Sequence, residues 1–219
     1  MEDRINNFES ALCDVRKAHR LIYAYQERML SLVKFIQHKL GMNTLSGYKH
    51  FSDPIQGRKG SYQRVFENMW AWDFIYSYVY EYFIGEGDLE GGGYYYISLI
   101  QYSDTGFFEN ENEDHCAVEK FAPEEESGSK IMFVMEMIPP KCKEVWADPD
   151  YLTQIVGNKE YSSIKHTNTI LYPKGEGKNA IVLYSIPLTR FIDEKSTTAA
   201  LQEYVNFLKE NDIIDIDLA

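Results

Sequence analysis

Apolar residues recur every seven positions from Phe8 through Val15, Ile22 and Met29 to Ile36, and residues 4–40 contain neither Gly nor Pro. The pattern predicts one uninterrupted helix, opened by Asp3 as N-cap and closed by Gly41, which suits the left-handed position after a helix end. At about 1.5 Å per residue such a helix is roughly 55 Å long, against a radius of gyration of about 17 Å for a compact chain of this length. It overhangs its own domain unless other elements, or a second chain, cover the stripe. In the same heptad the d positions are Ala11, Ala18, Tyr25, Leu32 and Lys39. The flanking e and g positions include Leu12, Leu21, Val33, Phe35 and Leu40, where a two-stranded coiled coil would want charges. The stripe is therefore broad, as packing on several elements requires. A charge at Ile22 is expected to be damaging whether the stripe packs within the chain or between chains. One at Phe8 or Val15 leaves a folded monomer only if the helix is an assembly element.

Downstream, residues 42–60 are rich in Gly, Ser, Asn and Lys and read as a loop. Residues 61–84 satisfy two periods. Val65, Met69, Trp72, Tyr76, Val79 and Phe83 follow helical spacing, while Trp70, Trp72, Phe74, Tyr76, Tyr78, Tyr80 and Tyr82 alternate as in a strand. A strand of that length is exceptional, and Asp73, Ser77 and Glu81 form a polar row at i, i+4, so a nearly buried second helix is expected. The glycines from Gly85 to Gly93 then mark a turn. After it come four strand patterns, at 94–102, 130–138, 163–172 and 179–188. The second and fourth are almost continuously apolar and belong inside a sheet; the third alternates, as an edge does. Asp148-Pro149 to Gly157 reads as a short helix, and a last helix starts near Ser196 with Leu201, Tyr204, Val205 and Leu208 on one face. The tail 213–218 adds an edge strand or stays loose.

The fold class expected is α+β. A long N-terminal helix packs with an aromatic-rich second helix and a C-terminal helix on a mainly antiparallel sheet of about four to five strands. The chain reads as a single domain, 1–219, with 1–41 a helix placed to project as an assembly element and 85–219 the sheet-containing part.

The net charge of −12 is unevenly spread: residues 1–64 carry +5 and residues 104–128 carry −8. Glu109, Glu111, Glu113 and Asp114 form an acidic segment suited to an electrostatic contact. Glu67, Asp73 and Glu81 inside the aromatic run argue against a membrane span. The amino terminus lacks a basic-then-apolar signal pattern, and the three cysteines, Cys13, Cys116 and Cys142, are too scattered for a disulfide framework. A cytoplasmic protein is expected.

Chemistry is harder to find. His19 and His38 flank the stripe as surface residues. His115-Cys116 with Cys142 and His166 lacks the close ligand pairs of a zinc site, so no metal site is assigned. Gly85-x-Gly87 meets Glu90 where a dinucleotide fingerprint needs glycine, and its acids repel a pyrophosphate. His166-Thr167-Asn168 departs from H-x-T and has no second copy. Glu136, on an apolar strand, is the most suggestive carboxylate for a metal-dependent nuclease, but Met137-Ile138 follow where a lysine would be wanted. No catalytic residue and no cofactor is assigned.

The expected function is accordingly non-enzymatic. The chain reads as an interaction or regulatory protein that self-associates or docks a protein partner through Phe8, Val15, Ile22, Met29 and Ile36. One alternative is a metal-dependent phosphodiesterase or nuclease using strand carboxylates. Another is a nucleic-acid binder using the basic N-terminal third (Arg16, Lys17, Arg20, Lys49, Arg58, Lys59, Arg64), or an acidic mimic of nucleic acid.

Overall fold

A computed structural model describes residues 2–49, 71, 75, 78–106, 118–138, 168–171 and 180–219. The chain divides into two compact units, Met1–Ile36 and Gln37–Ala219. The first is helical throughout: α1 runs Glu2–Lys39, so Asp3 lies inside the helix rather than at its cap. The other end falls as the sequence predicts. Gly41 has φ +68°, and the amides of Gly41 and Met42 donate to the carbonyls of His38 and Gln37 at 3.0 and 2.9 Å. That double return satisfies two orphan carbonyls of the last turn.

The second unit is built on a six-stranded sheet of order β1-β2-β3-β4-β6-β5, every neighbouring pair antiparallel. Its strands are β1 (Ser46–Lys49), β2 (Val79–Asp88), β3 (Tyr94–Tyr102), β4 (Lys130–Ile138), β5 (Thr169–Leu171) and β6 (Ala180–Pro187). The α+β class is therefore as expected, and β4 and β6 are interior while β5 is an edge.

Two expectations are corrected. Residues 79–84 are strand, not the end of a second helix, and β2 continues through Gly85 and Gly87, where the glycine pattern predicts a turn. The turn itself is confined to Leu89–Gly93, where the Leu89 amide donates to the Gly93 carbonyl at 3.1 Å. The sheet also reaches back to β1 at Ser46, inside the expected loop, rather than starting at residue 85. Residues 61–70, the helix expected at 148–157, and residues 163–167 lie outside the described residues.

A helix of the same unit packs on the sheet. α2 (Glu194–Glu210) begins two residues before Ser196, because Asp193 is its N-cap. The Ser196 amide donates to the Asp193 carboxylate at 2.8 Å, and the Asp193 amide donates to the Ser196 hydroxyl at 3.0 Å, a reciprocal capping box. Leu201, Tyr204, Val205 and Leu208 are buried, as their spacing predicts. Tyr204 meets Phe133 and Tyr184 with ring centroids 4.5 and 5.4 Å apart, so α2 lies on the face of Phe133 and Tyr184. The register places Leu99 of β3 on that same face.

Residues of the opposite face, among them Ile100, Tyr102, Met132, Val134 and Leu183, are buried as well. The tail forms no strand. It is tied by a Lys209–Asp215 ion pair, and the Ala219 amide donates to the Lys39 carbonyl at 2.9 Å while Lys39 Nζ reaches the Ala219 oxygen at 2.7 Å.

Candidate functional site

Two places carry the residues singled out above: the stripe of α1, and a set of polar groups on the sheet face away from α2. On α1 the five stripe residues separate into two groups. Met29 and Ile36 are buried, at 2% and 0% exposure, whereas Phe8, Val15 and Ile22 are exposed at 65%, 51% and 43%. Ile5, Leu12, Leu21 and Tyr23 are exposed beside them. A helix that used its whole stripe for its own fold would not leave seven large apolar side chains in water within nineteen residues.

With Ile22 exposed, the damage expected from a charge there falls on an intermolecular contact rather than on the fold. Ile5 and Leu21 were not among the assigned contacts. Their signal was present in the breadth of the stripe, since both flank the a and d positions. The d positions here, Ala11 and Ala18, are small and exposed. The surrounding charges are solvated. Asp14 and Lys17 pair at 2.9 Å with about 70% of each side chain exposed, which contributes little to stability.

On the sheet, Glu81 of β2, Ser98 of β3 and Glu136 of β4 are 3%, 0% and 4% exposed and share the face opposite α2. Among the described residues the Ser98 hydroxyl has no hydrogen-bond partner. Glu136 stands opposite Tyr96, whose phenol is pushed up to about 12 by burial and by the charges of Tyr94, Glu86 and Glu136. Burial, reinforced by the Glu81 carboxylate, also raises the Tyr102 phenol. At the same end of the sheet the Lys130 ammonium sits 5.4 Å from the Tyr102 ring centre, and burial lowers its pKa to about 8.

The two carboxylates do not converge. Glu81 pairs with Ile100 and Glu136 with Tyr96, so they are two strands apart and four residues offset, roughly 15 Å between backbones. Among the described residues no group of three or more His, Cys, Asp or Glu side chains is placed to hold a metal ion. Asn168, the odd residue of the histidine motif, accepts from the Ser185 amide at 2.9 Å and so registers β5 on β6. The acidic segment Glu109, Glu111, Glu113 and Asp114 lies outside the described residues, as do His115, Cys116, Cys142 and His166.

Among the described residues the fold is α+β with an exposed apolar helix face, and no helix is long and apolar enough to cross a membrane. The chain belongs to the PM0109 family, whose model matches residues 5–213 and so takes in almost all of α1, the sheet and α2. That description names no activity, substrate or partner. No curated protein and no solved structure matches the chain significantly.

Proposed function

We propose that this protein is a non-enzymatic assembly protein of the cytoplasm that self-associates through the first half of α1. The observation that carries the reading is the exposure of Ile5, Phe8, Leu12, Val15, Leu21 and Ile22 on one helical stretch. Over two copies these side chains offer on the order of 1,000 Å² of apolar surface, the lower end of what a specific interface buries. A single copy holding that surface in water has no compensating gain, whereas pairing removes it from solvent.

The test is the solution mass of the intact chain. Sedimentation is expected to give twice the 25.5 kDa of one chain, and Val15→Glu is expected to return it to one chain with unchanged helix content by circular dichroism. A wild-type protein that stays at the mass of one chain at 100 µM overturns the reading.

A second reading has one observation in its favour: Glu136 is a buried carboxylate on the same sheet face as the unpartnered Ser98 hydroxyl. Buried carboxylates mark functional sites more often than chance. Calorimetric binding of a divalent cation, abolished by Glu136→Gln, would favour a metal-dependent phosphodiesterase over an assembly protein.

A further inference from the structure

Resting on the self-association reading, we infer that the two copies pair antiparallel, with Val15 near the two-fold axis and the acidic start of each α1 alongside the basic middle of the other. Two independent features of the helix carry the orientation.

The first is charge order. In residues 2–14 four acids, Glu2, Asp3, Glu9 and Asp14, stand against Arg4; in residues 16–28 four bases, Arg16, Lys17, Arg20 and Arg28, stand against Glu27. Glu9, Asp14, Arg16, Lys17 and Arg20 are all exposed around the stripe. Parallel pairing sets −3 against −3 and +3 against +3. Antiparallel pairing sets each block beside its opposite and also opposes the two helix dipoles. No single rim contact of this kind is strong, but the pattern of signs selects between orientations.

The second is size order. The exposed a positions are large (Phe8, Val15, Ile22) and the exposed d positions between them are Ala11 and Ala18. In a parallel pair, a faces a and d faces d, so bulky layers alternate with layers of facing methyls that leave voids. In an antiparallel pair, a faces d. Val15 then packs on an alanine of the partner subunit, and so does either Phe8 or Ile22 according to register, so that large meets small at the centre of the seam. The apolar e and g residues Ile5, Leu12 and Leu21 widen that seam where charged residues would narrow it.

The experiment uses the full chain with Cys13→Ser, Cys116→Ser and Cys142→Ser, and a nitroxide label on Ala24→Cys, an exposed position off the stripe. Pulsed electron-electron resonance reads the distance between the two labels. Antiparallel pairing about Val15 sets positions 24 roughly 25–35 Å apart along the axis, while parallel pairing leaves them level, about 15 Å apart.

A second arm needs no label. Glu9→Lys with Asp14→Lys turns the attraction into repulsion only in the antiparallel pair, so dissociation is expected to become at least about tenfold easier, measured by sedimentation at low salt. A dimer with short label distances and no response to the double lysine variant refutes the orientation and leaves self-association standing. A wild-type chain that never dimerises refutes self-association itself.

Discussion

Tyr204 is fully buried between α2 and the sheet, and among the described residues its hydroxyl has no hydrogen-bond partner. Burial pushes the phenol well above its ordinary range, as expected of a group that must stay neutral. Removing that oxygen with Tyr204→Phe should therefore stabilise the protein, against the usual direction for a buried deletion. A polar group held without a partner in an apolar setting costs about 1–3 kcal/mol. Deleting one oxygen leaves a void of roughly 10–15 Å³, worth about 0.3 kcal/mol at the usual penalty per unit of cavity volume. The ring keeps its packing on Phe133 and Tyr184. The balance is a gain of about 1 kcal/mol, or a melting temperature some 2–4 °C higher for a chain of this size. Urea unfolding followed by fluorescence checks it, with an unchanged m-value required for the comparison. Tyr82→Phe is the control. That hydroxyl donates to Gln101 Oε1 at 2.9 Å in the same unit, so its removal should cost about 1 kcal/mol. A Tyr204→Phe protein destabilised by more than about 1 kcal/mol would mean that the hydroxyl is satisfied, and the reasoning would fail.

Other perturbations have equally definite signs. Because burial lowers the Lys130 pKa to about 8 from 10.5, the ammonium is penalised in the folded state at neutral pH. The unfolded chain then holds the proton more tightly, so this residue's contribution to stability should rise by about 2 kcal/mol between pH 7.5 and 9.5. The rise should vanish in Lys130→Met, compared with wild type by urea unfolding at both pH values; equal slopes would refute it. Gly85→Val should cost about 1–3 kcal/mol, because Gly85 sits at a β-bulge with φ +153° and an added Cβ would meet Met42 Cβ and Sδ at 3.0 Å. Thermal melts check it. Ile36→Glu places a charge at a position with no exposure and should prevent folding, while Ile22→Glu should keep native helix content by circular dichroism.

The strands legible from sequence were those with an unmixed signal. β3 and β4 have the limits their apolar runs predict, because each is interior and little competes with the strand pattern there. β1 and β2 depart from the sequence pattern for one shared reason: glycine there signals a stop, and in the structure it answers close approach. An added Cβ on Gly87 would fall 2.5 Å from the Tyr95 hydroxyl, and one on Gly47 would fall 2.8 Å from the Glu81 carbonyl and onto the Tyr80 ring. Large tyrosines lying across neighbouring backbone are what make glycine necessary within these strands. Glu81 added to the error. Its place in a polar row at helical spacing suggested a solvated face, yet it is buried in a strand. Pattern reading weighs polarity as exposure, and a buried carboxylate reverses that weight.

The stripe of α1 shows a different limit. Phe8, Val15 and Ile22 have the same chemistry and spacing as Met29 and Ile36, but the first three lie in solvent and the last two do not. Hydrophobic period alone cannot mark where a helix stops serving its own fold. What changes along the helix is the company of the stripe: the small residues Ala11 and Ala18 and the boundary between acids and bases all fall within the exposed half. A face buried within one chain is matched by the unlike residues of other elements and gains nothing from being complementary to itself. A face that meets its own copy about a two-fold axis must match large with small and negative with positive along its own length. The exposed half of α1 carries both features in its sequence, and on that ground self-association, rather than docking of an unlike partner, is the reading proposed.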